Sequence, residues 1–176
     1  MLDAHAGQYL PIDTRSGARK QIDLTHSKIH DGKHFTLSYN KTLSAGSAIT
    51  VMFTSPATAV GTIVHFVGGV ESPKSGVWTF SEAPEASAGS ALTAYNNNRL
   101  SSNTSPLTCA GTVAWTSSGS VFETHFLGTA SPASTVGGDR TSRQEYILNY
   151  GTKYLIRFIA DAATTNTVIN ASFYYE

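Results

Sequence analysis

From His34 onward the chain alternates apolar and polar positions in short runs. HFTLSY places Phe35, Leu37 and Tyr39 on one face, and AITVMFT does the same with Ile49, Val51 and Phe53. A period of two predicts half-buried strands, because successive side chains leave the backbone on opposite sides. TIVHFV, at 62–67, is more continuously apolar. VWTF (77–80), LTCAGTVAW (107–115), VFETHFLG, QEYILN, TKYLIRFIA and VINASFYYE complete the series, and Gly111 predicts a bulge inside one of them. Asn40-Lys41-Thr42, Ser55-Pro56, Gly68-Gly69, Ser117-Ser118-Gly119, Gly137-Gly138-Asp139 and Tyr150-Gly151 read as turns between the runs. YILNYGTKYLIRFI reads as a hairpin bent at 149–151.

The sequence offers no long amphipathic helix, and residues 81–95 contain breakers that allow at most a short turn. Eight or nine short strands predict an all-β chain: an antiparallel β-sandwich over residues 31–176, read as jelly-roll-like, although strand count alone does not separate jelly-roll from Ig-like topology. Residues 1–30 differ. Their apolar residues are isolated, they show no sustained period, and Arg15, Arg19 and Lys20 form a basic cluster. They predict an extended N-terminal arm beside one domain.

Composition narrows the function classes. Of 176 residues 40% are apolar and only 14% charged, so Ser, Thr and Asn carry the polarity. The formal net charge is zero, which removes the electrostatic footprint expected for a nucleic acid or an anionic membrane. One cysteine, Cys109, excludes a disulfide within the chain and any cysteine-based metal cluster. The opening MLDAHAGQYLP lacks a basic region followed by an apolar one, and no run approaches the ~18 apolar residues of a membrane span. The expectation is a soluble protein made in the cytoplasm.

Candidate chemistry is sparse. His26, His30 and His34 recur at the spacing of one helix face, where they would hold zinc. Asp31-Gly32 breaks that face, and on a strand the rings would stand about 13 Å apart at each step of four residues. His65 and His125 sit among strand residues and read as local hydrogen-bonding groups. No serine occupies a nucleophile elbow, and Cys109 reads as a small buried residue. Glu71, Glu82, Glu85 and Glu123 single out no acid–base pair, and no glycine loop cradles a phosphate. Neither catalysis nor a cofactor is expected. Glycosylation triplets at Asn40, Asn103 and Asn170 are expected to stay unmodified.

The most polar stretch is YNNNRLSSNTS, residues 95–105. Asn96, Asn97, Asn98, Ser101, Ser102 and Asn103 carry neutral donors and acceptors on short side chains, and Arg99 adds a planar cation. Such a loop either locks its own fold or grips a neighbouring subunit.

Three segments in order, IHDGKHFTLSY, YNNNRLSSNTS and RQEYILNYGTKYLIRF, resemble a group of tailed-bacteriophage structural proteins over roughly residues 29–175. That group shares an IH-x-G-x-x-F start, an NNNR-x-SSNTS loop and an E-x-I-L-x-x-G-x-x-Y-x-x-R segment. The resemblance implies a head decoration, or cement, protein: a β-sandwich on the outer capsid surface, often trimeric, that reinforces contacts between major capsid subunits. It implies the major capsid protein and further copies of the chain as partners, with no direct nucleic acid and no membrane. The protein would be made in the host bacterial cytoplasm and end in the virion, with Arg15, Arg19 and Lys20 on an arm across capsid subunits. The alternative is a carbohydrate- or receptor-binding module of a head fibre or tail, with Tyr95, Trp78 or Trp115 stacking on sugar rings.

Overall fold

A computed structural model describes residues 24–57, 63–87, 89–128 and 144–176. The basic cluster Arg15, Arg19 and Lys20 lies outside the described residues, as does the Gly137-Gly138-Asp139 turn. The chain runs through α1 (Leu24–His30), β1 (His34–Leu43), β2 (Ala48–Thr54), β3 (Val64–Glu71) and β4 (Gly76–Glu82). Five short strands follow: β5 (Glu85–Ala86), β6 (Ser90–Leu92), β7 (Tyr95–Asn96), β8 (Thr108–Gly111) and β9 (Trp115–Ser117). It closes with β10 (Ser120–Leu127), β11 (Tyr146–Ile147), β12 (Lys153–Ala160) and β13 (Thr164–Tyr175).

Two antiparallel sheets form a sandwich. The first has the order β11-β3-β13-β1-β7 and the second β10-β4-β12-β2-β8-β6, with β5 and β9 as a separate pair. The frame consists of β1 to β4 and β10 to β13, and the chain changes sheet at every connection between them except β4 to β10. Lettered B to I in chain order, the sheets read G-D-I-B and F-E-H-C. That is the jelly roll, in which every long strand finds partners distant in sequence.

The period-two faces predicted from sequence build the core. Phe35, Leu37, Ile49, Val51 and Phe53 are buried, facing Phe66, Phe80, Ile156, Phe158, Ile169 and Phe173 from the other strands. Phe66 is the hub, with ring contacts to Phe53 at 4.7 Å, Phe80 at 5.2 Å and Phe173 at 6.2 Å. Burial of each such side chain contributes about 1.5–3 kcal/mol. On β2 and β12 the opposite face is also covered, by residues of the β5–β9 pair and the β8–β9 connection. Met52, Val113 and Leu155 form a smaller core there, joined by Ala86, Ala110 and Trp115. The Arg157 guanidinium lies 5.1 Å from the Trp115 ring centre.

Five expectations are corrected. Residues 24–30 are helical, so the predicted arm loses its last turn to the folded domain. The helix ends in a Schellman cap: Lys33 N donates to Lys28 O at 2.9 Å and Gly32 N to Ile29 O at 3.0 Å, with Gly32 at φ +68°. The segment at 146–158 is not a hairpin, since β11 joins the first sheet and β12 the second. Its bend is fastened to the β2–β3 connection instead: Ser55 Oγ donates to Asn149 O, and Gly151 N donates to Pro56 O at 2.7 Å. Residues 81–95, expected to form at most a turn, supply β5, β6 and the first residue of β7. Finally, Gly68-Gly69 and Asn40-Lys41-Thr42 lie inside strands. A side chain at Gly68 would run into Ile156 Cδ1, 2.5 Å from the Cβ position, and β1 shifts register between Lys41 and Leu43. Gly111 ends β8 rather than bulging it, and Thr112 follows with φ +55°.

Candidate functional site

The asparagine-rich loop is built onto the end of α1. A helix leaves its last carbonyls without partners within the helix, and Asp31-Gly32 turns the chain sharply enough to expose them. Asn98 Nδ2 donates to His30 O at 3.0 Å, and Asn96 Nδ2 to Gly32 O at 2.8 Å. Asn103 Nδ2 reaches Gly32 O at 3.1 Å and Asp31 O at 3.3 Å. Asn97 Oδ1 accepts from Thr36 Oγ1 at 2.9 Å, which ties the loop to β1. Within the loop, Asn98 N donates to Asn96 Oδ1, Leu100 N to Asn98 Oδ1, and Asn103 N to Ser101 Oγ. The end of α1, the start of β1 and the asparagine-rich loop therefore form one clamp.

The other candidate residues of the loop face outward. Ser102 and Arg99 are exposed, with the Arg99 guanidinium 5.5 Å from the Tyr95 ring centre. Leu100 is 98% exposed at the loop tip.

The three histidines at helix spacing do not converge. His26 and His30 share α1 with their Nε2 atoms 2.9 Å apart, but His34 belongs to β1 and its Nε2 meets Ser172 Oγ at 3.1 Å. His34 is 5% exposed, its Nδ1 has no hydrogen-bond partner, and burial lowers its pKa from the ordinary histidine value. Burial likewise pushes the Cys109 thiol up to about 12, as expected of a structural cysteine.

A second constellation lies at the opposite edge of the sandwich, at the outer strands β10 and β11. A cavity of about 460 Å³ opens there between β3, β10 and the outer ends of β1 and β13. His34, Tyr174 and His65 are cross-strand neighbours on β1, β13 and β3. Their rings form a ladder, 6.4 Å then 4.5 Å between centres and within 14° of parallel. On the facing wall Trp78 stacks on His125 at 4.6 Å and 4°.

Two carboxylates are held in place beside these rings. Glu145 accepts from Tyr174 OH at 2.7 Å and pairs with His65 Nδ1 at 2.5 Å. Glu123 accepts from Tyr146 OH at 2.8 Å and pairs with His125 Nε2 at 2.6 Å. Burial, then the bond to Glu123, raises the Tyr146 pKa and keeps it a donor.

The reading of His65 and His125 as local hydrogen-bonding residues matches this geometry, but their convergence on one cavity was not visible in sequence. Glu123 and His125 share a strand face at i, i+2, which the sequence does contain. Glu145 reaches His65 only through the β11–β3 pairing.

Comparison with protein-family models, with curated proteins and with solved structures finds no match. Tyr95, Trp78 and Trp115 do not assemble into one platform: Tyr95 lies on β7, Trp78 is 6% exposed in the core, and Trp115 sits on β9 against the outer face of the second sheet. Among the described residues no helix is long and apolar enough to cross a membrane, and no cluster of three or more His, Cys, Asp or Glu is placed to hold a metal.

Proposed function

We propose that this protein is a non-enzymatic structural component of a bacteriophage virion, a head decoration protein on the outer capsid surface. It associates with itself as a trimer and reinforces contacts between major capsid subunits. The observation that carries this reading is the clamp. The amides of Asn96, Asn98 and Asn103 are spent on fixing the end of α1 to the sandwich. A protein that works by spreading contacts over several neighbours needs such a fixed root more than it needs a reaction centre. Many modest contacts repeated over a lattice then give high avidity.

The jelly roll supports the same reading, because viral capsid proteins share that architecture with lectins. The test is co-sedimentation of the purified protein with undecorated expanded capsids of the phage that encodes it. Saturable binding is expected. Failure to bind, together with absence from purified virions, rejects the proposal.

A further inference from the structure

We propose that the cavity between β3 and β10 is a binding site for a neutral carbohydrate unit. This goes beyond the capsid reading and does not depend on it. Its volume of about 460 Å³ lies within the range of small-molecule sites, roughly 300–1,000 Å³.

The lining chemistry selects the ligand class. Glu71, Glu123 and Glu145 line the cavity, and among the described lining residues there is neither lysine nor arginine. That wall repels phosphates, sulfates and uronic acids. Glu123 and Glu145 are each held by an imidazole and a phenol. What they offer is oriented acceptor capacity for hydroxyl groups, held by partners that stop the carboxylates from swinging away. Carboxylates with spare lone pairs, and the second ring nitrogens of His65 and His125, form the complement of a sugar's hydroxyls.

His34 also lines the cavity, where its Nε2 meets Ser172 Oγ at 3.1 Å.

The experiment uses the full chain on an array of neutral, acidic and amino glycans, followed by calorimetric titration of the bound structures. Neutral glycans are expected to bind. His125→Ala and Glu145→Ala are expected to lose about tenfold or more in affinity, the effect of one hydrogen bond to a charged group. Tyr95→Ala, on the far edge, retains binding. Thermal melts and capsid co-sedimentation are run on the same variants. Loss of glycan binding in folded variants that still co-sediment with capsids supports the site and separates it from the capsid reading. Absence of neutral-glycan binding by the parent chain, preference for acidic or amino glycans, or unchanged affinity in both folded cavity variants overturns it.

Discussion

Asn96 illustrates how much one short side chain carries. Its amide donates to Gly32 O and Asn103 O, while its carbonyl accepts from Asn98 N. Asn97 holds only Thr36 by its side chain. Asn96→Ala is therefore expected to cost about 1–3 kcal/mol in urea unfolding of the free protein, and Asn97→Ala about 1 kcal/mol. A normal midpoint combined with lost capsid binding would instead assign these residues to a partner. His34 gives a pH signature. Its folded pKa lies below the ordinary value of 6.5, so the unfolded chain takes up a proton first as pH falls. Its effect is absent above about pH 7.5, and stability drops as pH falls through 6.5 towards the folded value. Melting temperatures between about pH 7.5 and pH 5 should fall less steeply in His34→Gln than in the parent. An identical slope in both would show that His34 is not the group responsible.

At the scale of elements, α1 and the insertion carrying β5 to β9 make separable predictions. Removing residues 1–23 leaves the clamp intact and should leave the melting temperature unchanged. Removing 1–30 strips the carbonyls that Asn98 and the Schellman cap engage, together with the Lys28–Glu176 ion pair at 3.7 Å, and should lower it. Equal melting temperatures for the two truncations would contradict the clamp. Trp115→Ala uncovers Met52 and Leu155 on the outer face of the second sheet, with an expected cost of about 3 kcal/mol by chemical denaturation. Strands β1 and β2 were legible in sequence because one face of each keeps a period of two, as at Phe35 and Leu37 or Ile49, Val51 and Phe53. The helix was not, because LTHSKIH is too short to show a period and its stability comes from bonds to residues over sixty positions away. The supposed hairpin misled for a related reason. Asn149-Tyr150-Gly151 has turn chemistry, but only the hydrogen bonds to Ser55 and Pro56 decide that its flanks part to opposite sheets. The cavity was hidden likewise, since its histidines and glutamates come from strands that only the topology brings together.

For the whole molecule, connectivity dictates kinetics. Every neighbour pair in the frame closes a long loop before any contact rewards it, as His34 with Tyr174 shows. Refolding monitored by tryptophan fluorescence after denaturant dilution is expected in milliseconds to seconds, the regime of non-local β proteins. Microsecond refolding would contradict this architecture. The position of β13 carries the point further. It lies between β3 and β1, and its residues Ile169 and Phe173 fill the middle of the core. On the ribosome, the first sheet therefore has no centre until the codons for residues 164–175 have been read and their product has left the exit tunnel. A nonsense codon just ahead of them releases a chain whose β1 retains only the two-residue β7 as a neighbour in its sheet. Placing β13 in the centre thus ties completion of the first sheet to synthesis of residues 164–175.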